Sequence, residues 1–284
     1  MSQFDRIASL LVGTAGSQEA VLIEGLRIGF SVTKTKDATT NKAQVVVYNL
    51  NEDTRNKIGG NVLKTRATLQ AGYAEGDGLQ NIFTGDITTA TTRYDFPDIV
   101  TTLDCKDGFK EVQDRLSVSF NAGSKVRDVL NDVMNKLGIS RKSSSVVIPN
   151  HEFVNGFAFG GPVKDLLDKM LGAVGYTWSF QDGELKFYPK DGKDETLPFD
   201  LTAETGLIKA PEKVKDVSGD SGDKEAIPGW NVTSLLLPSL EPGNPIRVSS
   251  NALPTPTDFV IERVEHRGDT FGGEYLTSLL VKEI

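Results

Sequence analysis

Two histidines, one cysteine and 39 acidic side chains are the main reactive material in this 284-residue chain. His151 and His266 stand far apart, each without a nearby cysteine or second histidine, so the ligand spacing of a zinc site is missing. There is no G-x-x-x-x-G-K-[ST] phosphate loop, no G-x-G-x-x-G turn and no G-x-S-x-G elbow. Glu52/Asp53 and Asp191/Asp194 are carboxylate pairs of the kind glycan hydrolysis needs across a cleft. They fall, however, on a helix start and a turn, and 39 acids make chance pairs expected. Asp220-Ser221-Gly222-Asp223 has the composition of a calcium loop but lacks the spacing and closing glutamate of an EF-hand, so it reads as a solvated acidic loop. Cys105 shares a strand face with Ile99 and Leu103, the setting of an inert core thiol. His266 shares parity with Val260 and Val264 and reads as a packed or edge histidine. No residue is assigned a catalytic, cofactor-binding or metal-ligating role, and no cofactor is expected.

The elements carrying these residues are mostly strands. Leu26, Ile28, Phe30 and Val32 alternate with polar neighbours as a half-buried strand. Lys34 to Lys42 is polar and reads as an exposed connection, either a solvated loop or an arm reaching a neighbour. Val45 to Tyr48 is a β-branched strand that ends at Asn49. A short helix follows at once, with Asn51 as N-cap, Glu52 and Asp53 in its first turn and Gly59-Gly60 as its stop. Ala67 to Tyr73, Ile82 to Ile87 and Ile99 to Cys105 continue the strand pattern, and spacing from Val21 to Phe120 predicts a nearly closed antiparallel sheet. Between Gly108 and Arg115 lies a second short helix.

The period then changes. Val126, Val129, Leu130, Val133, Met134 and Leu137 mark one face of a helix stopped by Gly138. Val163 to Val174 repeats the spacing, with Pro162 in the first turn. Tyr176 to Phe180 and Glu184 to Tyr188 flank Asp182-Gly183, a hairpin signal. After Leu197 the chain returns to strands around a polar stretch from Val214 to Ile227. Trp230–Leu237, Pro245–Ser249, Phe259–His266 and Tyr275–Val281 read as a second barrel.

Net charge of −8 and a pI near 5.0 argue against a phosphate-binding surface and against docking on anionic lipid. No run approaches the roughly 18 apolar residues of a membrane span. The N-terminus has no secretory pattern, and a single cysteine excludes an intramolecular disulfide.

Taken in order, these segments resemble the baseplate hub family of contractile-tailed phages, including the late control protein D group and the hub portion of VgrG spike proteins. Leu26 to Val32 resembles the family's opening strand and Val45 to Ile58 its strand-then-helix corner. Phe83-Thr84-Gly85-Asp86-Ile87 is similar to its F-x-G-x-I/V strand, and Ser119 to Val126 leads into a helix as in the family. Val163 to Phe187 matches its central unit. Val264-Glu265-His266-Arg267-Gly268-Asp269, with Tyr275-Leu276-Thr277, resembles its V-x-H-x-G-D … W-x-T end, Tyr275 standing where tryptophan is usual. The likeness spans about residues 20 to 284, and its strength lies in the order of motifs that are individually weak.

The resemblance implies a mainly β chain with an α+β unit: two tail-tube-like β-barrels flanking a helix-plus-hairpin domain. The expected division is residues 20–118, 119–195 and 196–284, with 99–120 open between the two barrels. The implied assembly is a homotrimer whose six barrels adapt a six-fold tail tube to a three-fold spike around a DNA channel. Expected partners are the tube protein above, a trimeric spike below, and tape-measure and other baseplate proteins, with no specific nucleic-acid binding and no stable membrane insertion. Because nothing like a needle follows Ile284, the spike is expected to be a separate chain. The expected location is the virion tail baseplate, assembled in the host cytoplasm. Candidate ring contacts are Lys34, Lys36, Asp37, Asn41 and Lys42 in one loop and Lys215, Asp220 and Asp223 in the other. Two alternatives stay open: a tail-associated cell-wall hydrolase, and a carbohydrate- or receptor-binding module, which would display exposed aromatics.

Overall fold

The structure is a computed structural model that describes residues 5–14, 20–59, 65–142, 151–190, 192, 194, 196–214 and 229–284. The first part of the chain runs β1 (Arg6–Thr14), β2 (Ala20–Ile23), β3 (Ile28–Thr35), β4 (Lys42–Tyr48), α1 (Glu52–Gly59), β5 (Thr65–Tyr73), β6 (Gly78–Asp95) and β7 (Asp98–Lys106). A middle part follows with α2 (Phe109–Gln113), β8 (Arg115–Phe120), β9 (Ser124–Lys125), α3 (Val126–Leu137), β10 (Glu152–Phe153), β11 (Phe157–Pro162), α4 (Val163–Gly172), β12 (Tyr176–Gln181) and β13 (Glu184–Pro189). The last part holds β14 (Phe199–Leu201), β15 (Glu212–Val214), β16 (Gly229–Leu235), β17 (Pro245–Val248), β18 (Thr257–Asp269) and β19 (Tyr275–Glu283).

Three apolar clusters fill these parts. Alternation on β3, β4, β5 and β7 turns Ile28, Phe30, Val45, Leu69 and Leu103 into the first cluster. The second is built by the apolar stripes of α3 and α4 against Trp178, Phe180, Leu185 and Phe187 of the β12–β13 hairpin. Leu201, Val232, Ile246, Phe259 and Leu279 form the third. Two barrel-like β modules therefore flank a helix-plus-hairpin unit. They share one sheet, ordered β15-β16-β19-β18-β3-β4-β7-β6-β5-β1-β2, because the second half of β18 pairs with β3 from Arg263↔Thr35 to Asp269↔Gly29. A bulge between Ile261 and Arg263 separates this half from the Thr257–Val260 half that pairs with β17.

Local signals set most elements. Asn51 Oδ1 accepts the Thr54 amide at 2.8 Å and caps α1. Gly138, at φ 67°, ends α3. Asp182 and Gly183, at φ 62° and 86°, make the two-residue turn of the β12–β13 hairpin. The Val264–Asp269 motif also has a packing reason. His266 is fully buried, with Nδ1 at 2.9 Å from Thr277 Oγ1. A side chain at Gly268 would meet the rings of Phe30 and Tyr275 at 2.3 and 2.7 Å, so only glycine fits beneath them. Asp269 receives both Nε and Nη2 of Arg27.

Three features differ from the sequence reading. β1 lies ahead of residue 20, pairs along its whole length with β5 and buries Leu10 and Val12. β6 continues eight residues beyond Ile87 to form a ribbon with β7, polar on both faces and therefore without a one-face signal. β7 lies between β4 and β6, while β8 pairs with β11 in the middle unit, so the 99–120 stretch divides between the first module and the middle.

Candidate functional site

Among the described residues, a network of charged side chains lies inside the molecule, between the parts that hold the three clusters. Its origin is strand parity. Ile28, Phe30 and Val32 face the first core, and the same period carries Lys34 and Lys36 inward. Ala43, Val45 and Val47 place Asn41 on the inner side of β4, and Thr101, Leu103 and Cys105 do the same for Asp107. The inner faces of these strands thus run past the apolar core and end in polar groups. The β12–β13 hairpin caps that end.

Each polar group finds a partner in another part of the chain. Lys34 Nζ donates to Asp182 Oδ1 and Oδ2 at 2.8 and 2.9 Å. Lys142 Nζ bridges Asp182 Oδ2, at 3.1 Å, and Glu241 Oε1. Lys186 Nζ lies 2.7 Å from Asp194 Oδ2 and 3.6 Å from Glu241 Oε2, with both members of the Lys186–Asp194 pair wholly buried. Lys36 Nζ donates to the Gly192 carbonyl at 2.9 Å and lies 3.6 Å from Glu262. Asn41 Nδ2 donates to the Phe180 carbonyl, and Gln181 Nε2 to that of Thr35. Asp107 Oδ1 accepts the Gly183 amide at 2.9 Å. Residues of all three parts are tied at one place.

The protonation states follow from these contacts. Burial pushes the Asp182 carboxyl up, but Lys34 and Lys142 outweigh it and leave it below the usual range. Glu241 is likewise held down against burial by Lys34, Lys142 and Lys186. Burial wins at Asp194, which is raised despite Lys186. Asp107 is pushed up to about 7 by burial and then by Asp182. His266 is pushed down to about 3 by burial and by Lys34, so it is neutral. Burial also pushes the Cys105 thiol up to about 12. Charges that are desolvated, paired and hydrogen-bonded hold parts together; breaking one pair costs roughly 3–5 kcal/mol. Among the described residues no three of His, Cys, Asp or Glu are grouped to hold a metal, and no helix is long and apolar enough to cross a membrane.

Of the eight ring-contact candidates, Lys34, Lys36 and Asn41 are buried and bonded within the chain, so composition misjudged their exposure. Parity was the signal that could have shown it. Asp37 and Lys42 are exposed. Lys215, Asp220 and Asp223 lie outside the described residues, as does Asp191 of the carboxylate pair. Trp178 is buried in the second cluster and Trp230 packs on the third. Unforeseen exposed apolar groups include Tyr94 and Phe96 at the tip of the β6–β7 ribbon, Phe271 between β18 and β19, and Leu11 and Leu22, which face each other across β1–β2.

Comparison with known proteins places this architecture among phage tail proteins. A family model described as baseplate hub gp41 matches residues 10–215. A search of curated proteins finds no match. The 43 kDa tail protein of prophage MuSo2 from Shewanella oneidensis is 12% identical, with a TM-score of 0.65 and 96% of each chain covered. The tail protein from Neisseria meningitidis MC58 is also 12% identical, with a TM-score of 0.66 over 97% of this chain and 96% of that one. An E. coli protein is 11% identical, with a TM-score of 0.64, over 96% of this chain and 76% of that one. It is described as a component of the type VI secretion system with structural similarity to T4 bacteriophage tail proteins gp27 and gp5. At such identities these likenesses speak for the fold, two tail-tube-like barrels flanking a helix-plus-hairpin domain. With most of its first module and all of its middle unit inside the matched range, the chain belongs to the baseplate hub gp41 family.

Proposed function

We propose that three copies of this chain form a ring that joins a six-fold tail tube to a three-fold spike and lines part of the DNA path. The observation that carries the reading is the β3–β18 pairing, which fuses two barrel modules of one chain into a single sheet. Three such chains present six modules while keeping three-fold identity, and ring closure then needs only heterologous contacts between neighbours. The role is structural, without catalysis, in the tail baseplate of a virion assembled in the host cytoplasm. The proposed division is a first barrel that begins with β1 and ends with β7, a middle domain from α2 to about residue 195, and a second barrel over 196–284.

The tube protein, a trimeric spike, and tape-measure and other baseplate proteins are the proposed partners. Exposed Asp37 and Lys42 are the proposed contacts in the β3–β4 connection, together with Lys215, Asp220 and Asp223 of the later loop. Transit of DNA without adsorption is supported by the net charge of −8.

The test is the native mass of the purified chain across concentration, alone and with the spike. A species of three times the 30.8 kDa chain is the expected result. A chain that stays monomeric in both conditions, or settles as a dimer or tetramer, overturns the proposal.

A further inference from the structure

The Asp182–Gly183 turn is a plug seated between the barrels, and the charges around it are nearly balanced. Lys34, Lys36, Lys142 and Lys186 stand against Asp182, Asp194, Glu241 and Glu262. Asp107 is a further carboxylate at the end of β7. It is fully buried, and its Oδ2 has no hydrogen-bond partner while Oδ1 holds the Gly183 amide.

We propose that Asp107 is a proton-linked latch on the hairpin plug: protonated, it lets the turn stay docked, and ionised, it adds a second buried carboxylate charge beside Asp182, which Lys34 must then share, and loosens the middle unit from the barrels. The charged groups around the turn come from several elements. β3 supplies Lys34, and the turn itself supplies Asp182, which also holds Lys142. Glu241 lies beyond Lys142, and the Arg66 guanidinium of β5 lies beside Gly183 and is 3.8 Å from Glu111 of α2. Lys110 of α2 is 3.2 Å from Asp86. His266 of β18 is neutral and bonded to Thr277 inside the second module.

The direction follows by linkage. In the docked state the Asp107 carboxyl keeps its proton to about pH 7, against 3.8 when free. Docking is therefore tightest below the free value, weakens as pH rises toward 7, and levels off above it. His266 has the opposite sign in global unfolding, because its depressed value favours folding as pH rises. Its bond to Thr277 joins β18 to β19, so undocking of the turn alone leaves that bond in place. Asp194 and Glu262, raised by burial, share the sign of Asp107, and an Asp107 variant separates them. Asp182 and Glu241 are held below their usual range, so working above pH 5 avoids them.

Hydrogen exchange of the Gly183 amide in the purified full-length chain, from pH 5 to 8.5 and divided by the intrinsic rate, tests the latch. The opening population is expected to rise by up to about tenfold per pH unit between pH 5 and 6.5, then to level above pH 7. In Asp107→Asn, which keeps an acceptor for Gly183, this rise disappears. A flat wild-type profile between pH 5 and 7, or an unchanged rise in Asp107→Asn, overturns the proposal. The wild-type series decides even where the variant does not fold.

Discussion

Replacing Lys34 by methionine tests whether the buried junction holds the three cores together. Lys34 is only 2% exposed, and its ammonium lies 2.8 Å from Asp182. Methionine keeps much of the stem's volume but leaves Asp182 with Lys142 alone, at 3.1 Å on Oδ2. Removing one member of a buried pair costs about 3–5 kcal/mol, and the surviving lysine places this case near 3 kcal/mol. For a chain of this size that corresponds to a fall in Tm of roughly 6–10 °C. The assay is thermal melting followed by circular dichroism and by tryptophan fluorescence, since Trp178 lies within the second cluster and Trp230 packs on the third. A double-mutant cycle sharpens the result. Asp182→Asn suits the positive φ of the turn, and the double variant is expected to lose about 2 kcal/mol less than the sum of the single changes. Stability of Lys34→Met within about 0.5 kcal/mol of wild type, or strict additivity in the cycle, would refute the reasoning.

Two further substitutions probe the same architecture. Gly108→Ala puts a methyl 2.3 Å from the Phe180 ring at a residue with φ 64°, and melting should show a loss of about 2–4 kcal/mol from strain and overpacking. A wild-type melting curve would contradict this packing. Tyr275→Phe keeps the edge contacts with Phe30 and Tyr73 but removes the hydroxyl, which donates to Ile7 and Gly72 carbonyls and accepts the Gly72 amide. A loss of about 1–2 kcal/mol is expected, with faster amide exchange at Gly72. Unchanged exchange there would deny that bond.

Elements with a one-sided pattern are legible in the amino-acid sequence. The α3 and α4 stripes, the Asn51 cap and the Asp182-Gly183 turn each depend on contacts within a few residues, so period and residue type suffice. β1 escapes because Leu10, Leu11 and Val12 are consecutive and apolar while only Leu10 and Val12 are buried, which blurs the alternation. The far half of β6 escapes because its residues from Thr91 to Asp95 are largely exposed on both faces. The polar stretch from Lys34 to Lys42 reads as exposed by composition, although parity carries Lys34, Lys36 and Asn41 to the buried side. Composition describes average exposure; it says nothing of a cap supplied by a distant segment.

By itself, then, the sequence determined most of the strands and helices, β1 and the far half of β6 excepted, where they turn, and an order of motifs specific enough to point to a baseplate hub. Tertiary structure alone decided which strands and charges meet. Arg263 lies opposite Thr35 and Lys34 binds Asp182 across 148 residues, separations that no local period encodes. A lysine on an inward strand face is buried only when another part of the chain brings a carboxylate to it. That meeting is a property of the packed cores, because the desolvation of each charge is offset only by its partner.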